Sequence, residues 1–113
     1  MIEGENKSFN YEFVARSFGL PKIFLDGYEY ICHTSVKRYQ HKYWRCQFYV
    51  QAGCKARAIL NKDRSVSVKR SHTHPPLTNE ERSMLMFVSK SDVFVQLQED
   101  ARKSGYGDGY LAV

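Results

Sequence analysis

From Pro21 onward apolar and polar residues alternate in short runs, and a period of two marks strands. Lys22-Ile23-Phe24-Leu25 and Tyr28-Glu29-Tyr30-Ile31-Cys32 flank Asp26-Gly27, a pair that accepts the positive φ angles of a two-residue turn, so this stretch predicts a β-hairpin. Alternation sets Tyr28, Tyr30 and Cys32 on one face and Glu29, Ile31 and His33 on the other. A polar, basic loop over 35–42 leads to a strand from Tyr43 to Tyr49, with Trp44, Cys46 and Phe48 together against Tyr43, Arg45, Gln47 and Tyr49. A turn at Gln51-Ala52-Gly53 delivers Cys54. The next strand, Lys55 to Leu60, turns Ala56, Ala58 and Leu60 inward, and the small alanines leave room for Trp44. Asn61 to Arg64 is a turn, and Ser65 to Lys69 alternates as a last strand.

The flanks read differently. In residues 1–17, Phe9, Tyr11, Phe13 and Val14 are scattered among charges with no cap or turn signal, which predicts a flexible arm. Beyond Pro75-Pro76, Thr78 or Asn79 caps a helix opening Glu80-Glu81-Arg82, and Met84-Leu85-Met86-Phe87-Val88 continues it as an apolar run. Ser91-Asp92 caps a second helix over about 92–103, where Phe94, Leu97, Gln98 and Ala101 recur at helical spacing and Gly105 ends it. The predicted organisation is an arm (1–17), a β module (18–76), a partly helical extension (77–104) and a disordered tail (105–113).

An aromatic content of 14% favours strands over helices. In a chain of 113 residues one core is modest, so a metal staple would contribute disproportionately. Three cysteines cannot complete a disulfide framework, and two of them stand with a histidine pair, which points to a reducing compartment, cytosol or nucleus. No apolar run approaches the ~18 residues of a membrane span, and the acidic start Met1-Ile2-Glu3-Gly4-Glu5 is unlike a secretory signal. The net charge of +5 is unevenly spread: between Lys37 and Arg70 ten Lys/Arg meet one acid, Asp63, while both flanks are net acidic. That basic block suits phosphates or an acidic protein surface.

The candidate chemistry lies in the same block. Cys46, Cys54, His72 and His74 offer four soft-to-borderline donors, each beside a turn or strand end, a set that suits one tetrahedral zinc ion. In an extended segment, histidines two apart point the same way and can clamp one ion; Pro75-Pro76 then ends the pairing. Four protein ligands leave no position for an activated water, so the zinc is expected to be structural and the chain not an enzyme. Cys32-His33 is no nucleophile–base pair, because adjacent strand residues face opposite ways; Cys32 reads as a buried free cysteine and His41 as a solvent-exposed loop residue. Folding is expected to depend on zinc.

These residues resemble a known family. Phe24-Leu25, Tyr28/Tyr30, Trp44, Cys46 and His72 follow the letters of the FLYWCH-type zinc finger. The phrases Asp26-Gly27-Tyr28-Glu29-Tyr30, Tyr43-Trp44-Arg45-Cys46, Cys54-Lys55-Ala56-Arg57 and His72-Thr73-His74-Pro75 resemble it over about residues 16–76. The resemblance implies a small zinc-stabilised β domain with a four- or five-stranded antiparallel WRKY-like sheet, a nuclear setting, and binding either to DNA or to proteins of chromatin and insulator complexes. One module followed by its own tail is similar to the isoform-specific C-terminal ends of insect BTB-domain insulator proteins. In the related plant WRKY domains, the strand after the Asp-Gly-Tyr turn carries basic residues into the DNA major groove; here that run is Tyr30-Ile31-Cys32-His33-Thr34-Ser35, without Arg or Lys to read guanine.

Two functions follow as expectations. The first is a protein-interaction module of a nuclear chromatin or transcription protein, with Leu85, Phe87 and Phe94 as anchors in an apolar, methionine-bearing extension. The second is a DNA-binding finger in which Lys37, Arg38, Lys42 and Arg45 hold phosphates. Neither a membrane nor a small-molecule substrate is expected.

Overall fold

The computed structural model describes residues 7–17, 19–32 and 42–103. Among them eight short strands run in chain order as β1 (Lys7–Ser8), β2 (Glu12–Val14), β3 (Lys22–Leu25), β4 (Tyr28–Cys32), β5 (Tyr43–Cys46), β6 (Arg57–Leu60), β7 (Val66–Lys69) and β8 (Phe87–Val88), with helix α1 (Asn79–Ser83) before β8 and α2 (Lys90–Lys103) after it. All strand pairs are antiparallel, in the spatial order β1-β7-β6-β5-β4-β3-β2-β8.

β3 to β7 occupy the places of the five strands expected from alternation, but β5 stops at Cys46, short of the expected Tyr49, because Tyr49 N–H turns back onto Cys46 O. Asp26 and Gly27 take φ angles of 54° and 86°, which lets their turn follow the twist of the hairpin. Register then stacks the inward residues: Ile23 opposes Tyr30, Tyr30 opposes Cys46, and Trp44 lies between Cys32 and Ala58. Trp44 and Ala58 are both buried, so the small side chain does accommodate the indole. The opposite face carries one buried charge. Glu29 is held by Lys22 Nζ at 2.8 Å and by the side-chain amide of Gln47, a pairing that offsets its desolvation.

The remaining strands come from the flanks, and here the structure corrects the sequence reading. The described part of residues 1–17 is not a free arm: β2 pairs with β3, β1 pairs with β7, and Tyr11, Phe13 and Val14 are buried. Tyr11 and Phe13 stand two apart on one face, a strand pattern masked by Glu12 and Arg16 pointing outward. Burying each ring contributes about 1.5–3 kcal/mol, and the Tyr11 hydroxyl donates to the Arg64 carbonyl at 2.6 Å.

The extension packs back as well. Thr78 caps α1 through a full capping box with Glu81. The apolar run does not continue that helix; Phe87 and Val88 form β8 and pair with β2. Ser89, not Ser91-Asp92, precedes α2, and its carbonyl accepts from Val93 N–H at 3.1 Å. Val93, Phe94 and Leu97 are buried, and the Phe94 ring meets Phe13 edge-on at 5.7 Å. No helix among the described residues is long and apolar enough to cross a membrane. The predicted tail, 105–113, lies outside the described residues.

Candidate metal centre

Three segments of chain bring the four donors together. Cys46 ends β5, where its N–H donates to Ala56 O at 3.1 Å while the following residue, Gln47, donates to Glu29 O at 3.1 Å. The loop then winds tightly: Tyr49 N–H donates to Cys46 O, and Ala52 N–H to Phe48 O. Gly53, at φ 60°, turns the chain inward and sets Cys54 beside Cys46. His72 and His74 follow β7. Between them the Thr73 hydroxyl donates to Ala52 O at 3.2 Å and its side chain also reaches Cys54, while both imidazoles enter the same space. The exit is clamped by Leu77 N–H on Gly27 O at 2.8 Å, and Pro76 lies so close to Gly27 that an added Cβ would sit 2.8 Å from the proline's Cβ.

One ligand atom from each of Cys46, Cys54, His72 and His74 falls within 4.8 Å of all the others. Cys46 Sγ is 3.1 Å from His74 Nε2, and Cys54 Sγ is 3.4 Å from His72 Nδ1. A tetrahedral zinc holds sulfur at ~2.3 Å and nitrogen at ~2.0 Å, which places its ligand atoms about 3.3–3.8 Å apart. The donors therefore fit the ion in type, number and spacing. The two histidines would use different nitrogens, Nδ1 of His72 and Nε2 of His74.

The surrounding residues orient that choice. His72 Nε2 lies 2.8 Å from the Tyr30 hydroxyl, and His74 Nδ1 lies 3.1 Å from Pro75 O. With Nδ1 of His72 facing the thiolates, its Nε2–H donates to Tyr30; His74 Nδ1–H donates to Pro75. Tyr28 stacks flat on His72, centroids 3.6 Å apart and planes at 4°, and Phe48 meets the His74 ring at 4.7 Å. Burial pushes the Cys46 thiol up to about 11, against the lowering effect of a hydrogen bond from Phe48 N–H. Burial also opposes ionisation of Cys54, but hydrogen bonds from the amides of Ala56 and Thr73 outweigh it and leave that thiol below its ordinary value. Burial, with His74 alongside, holds His72 down at about 4, so its imidazole is neutral and free to ligate at physiological pH.

All four sequence-predicted ligands thus converge on one site. The two described basic candidates do not join it: Lys42 is half-buried with its ammonium 5.9 Å from the Tyr43 ring, and Arg45 stacks on Tyr49 at 4.0 Å; Lys37 and Arg38 lie outside the described residues, as do His33 and His41. Cys32 is half-buried and pushed up to about 12 by burial, which fits an inert thiol. Of the apolar candidates, Leu85 is half-buried and Phe87 is 51% exposed beside Phe24, but Phe94 is only 3% exposed. Its expected role as a partner anchor is corrected: its ring is spent on Phe13 and the core. Sequence reading overlooked the aromatic wall of Tyr28, Tyr30 and Phe48. Alternation had put the two tyrosines on one face, but only the Tyr30–Cys46 register brings that face to the metal.

A model of the FLYWCH zinc finger domain matches residues 13–74, more than half of the chain and all four donors. No curated protein matches the chain. The chain belongs to the FLYWCH zinc finger family, and among the described residues Cys46, Cys54, His72 and His74 are positioned to form one zinc site.

Proposed function

We propose that this zinc-built sheet is the scaffold of a nuclear protein-interaction module, serving a chromatin, insulator or transcription-regulatory protein. The observation that carries this reading is the exposed apolar segment running from the end of α1 into β8: Met84 and Met86 are 78% and 72% exposed, and Phe87 is 51% exposed. Methionine and phenylalanine displayed on a rigid rim suit an adaptable protein contact. A closed four-donor zinc site supports binding over catalysis. Groove reading by β4 is disfavoured, since that strand lies inside the sheet between β3 and β5 and bears no Arg or Lys.

The test is affinity capture from nuclear extract by the zinc-loaded protein, with and without nuclease. A partner retained after nuclease and lost with Met86→Ala/Phe87→Ala supports the reading; identical capture by that double variant removes it. Neither side chain touches the zinc ligands, so zinc content should be unchanged, and the melting temperature should fall only by the loss of the Phe87–Phe24 edge contact.

A second reading, a DNA-binding finger, is favoured by the concentration of basic charge between residues 37 and 70. It predicts affinity that falls steeply with salt and drops when Lys37, Arg38, Lys42 and Arg45 are neutralised. Insensitivity to both would remove it.

A further inference from the structure

We infer that the outer face of β5, β6 and β7 binds single-stranded nucleic acid, with Arg45, Arg57 and Lys69 holding its phosphates. This deepens the basic-surface reading and rests on it, while moving the site from the loop before Tyr43 onto the sheet. Strand register is the first support. Arg45 lies directly opposite Arg57, and Arg57 directly opposite Lys69. Because inward and outward residues alternate, Trp44, Cys46, Ala56 and Ala58 fill the core while the three cations share the other face; Arg57 and Lys69 are exposed and Arg45 half-buried. With strands about 4.8 Å apart, the row spans about 10 Å.

Like charges in direct cross-strand register are destabilising, so this row works against folding unless something negative lies on it. No described carboxylate is ion-paired with it. The ion pairs among described residues are Lys7–Asp63 and Lys22–Glu29, and neither includes a member of the row. Lys55, two residues before Arg57 and also exposed, adds to the same side.

The form of the row selects the partner. Guanidinium groups bind phosphate bidentately, and at one end Arg45 lies 4.0 Å over Tyr49, a ring 41% exposed. A cation row beside an aromatic–guanidinium stack is the combination that carries a backbone and stacks an unpaired base. The central strands of a sheet do not protrude into the groove of a duplex, but an unpaired strand can lie across them. An acidic peptide would be neutralised by the same charges yet would have no use for the stack.

The test is fluorescence anisotropy of the zinc-loaded full chain with a short labelled oligothymidylate, its duplex with oligoadenylate, and polyglutamate, from about 50 to 200 mM salt. Expected is preferential binding of the single strand, with Arg57→Ala/Lys69→Ala weakening it about tenfold or more and lowering the log–log salt slope by about 1.4. The same double variant should melt no lower than the parent, because it removes like-charge contacts. Unchanged affinity and slope in this variant would overturn the assignment; if Lys37→Ala/Arg38→Ala/Lys42→Ala then abolishes binding, the basic-surface reading survives at the loop. Tighter binding of the duplex overturns the single-strand assignment alone. Binding of polyglutamate only, or of none of the three probes, overturns both.

Discussion

The Tyr30 hydroxyl, 2.8 Å from Nε2 of His72, determines which nitrogen of that histidine faces the thiolates. Burial raises the Tyr30 phenol well above its ordinary value, so it is a neutral hydroxyl at physiological pH. Tyr30→Phe keeps the buried ring but leaves the imidazole N–H without its acceptor. Loss of such an orienting partner typically costs roughly 10–100-fold in metal affinity. Competition against a chromophoric chelator should show a drop in that range, and parental affinity would show that the stacked Tyr28 alone orients His72.

Gly27 joins the hairpin turn to the histidine segment. It combines a φ of 86° with a site where Cβ would lie 2.8 Å from Pro76 Cβ. Gly27→Ala should therefore cost more than backbone strain alone, which is about 1–3 kcal/mol, because Pro76 must move and carries His74 with it. Gly53→Ala isolates the strain, since φ there is 60° and nothing lies within 4 Å of an added Cβ. Chemical denaturation of the zinc-loaded variants, with zinc affinity in parallel, should rank Gly27→Ala as the more damaging on both measures. Equal effects would mean that the Pro76 contact is immaterial.

Helix α2 is a core element and not a detachable arm. Phe94 is 3% exposed, faces Phe13, and carries the Arg64 guanidinium 4.4 Å over its ring. Phe94→Ala is expected to cost about 3–5 kcal/mol, whereas Val95→Ala, one residue on but 54% exposed, should stay within about 0.5 kcal/mol. Thermal melts of the two variants provide the comparison. A mild Phe94→Ala would return α2 to the status of a surface appendage.

The contrast between Trp44 and Tyr11 explains what could be read in the chain. Trp44 belongs to a run where alternation, the Asp26-Gly27 turn and donor spacing agree, so its inward face, its alanine neighbours and the zinc ligands were all legible. Tyr11 and Phe13 carry the same alternation over too few residues, and their burial depends on pairing with β3, a long-range choice that no local pattern encodes. Phe94 shows the same limit on a helix: its spacing announced an apolar face, but not whether that face meets the sheet or a partner. The Arg45–Arg57–Lys69 row was invisible for a third reason, since three cations far apart in sequence become neighbours only through register.

Acid should release zinc and unfold the domain together. His72 is lowered from 6.5 to about 4, first by burial and then by His74, so the fold favours its neutral form. A lowered histidine contributes stability that is complete above about 6.5 and is lost as pH falls from there through about 4, because over that window the unfolded chain binds the proton and the folded chain does not. Zinc has the same requirement, needing neutral imidazoles and ionised thiols, and Cys46 at about 11 releases its proton to solvent near neutral pH only as the ion displaces it. Both effects push the equilibrium the same way as pH falls. If the metal holds segments that the sheet cannot gather alone, zinc release followed with an indicator and strand signal followed by circular dichroism should fall in one coincident transition, and chelation at neutral pH should produce the same loss. Retention of the full strand signal after the metal has left would show that the core built by Tyr11, Phe13, Trp44 and Phe94 stands without it.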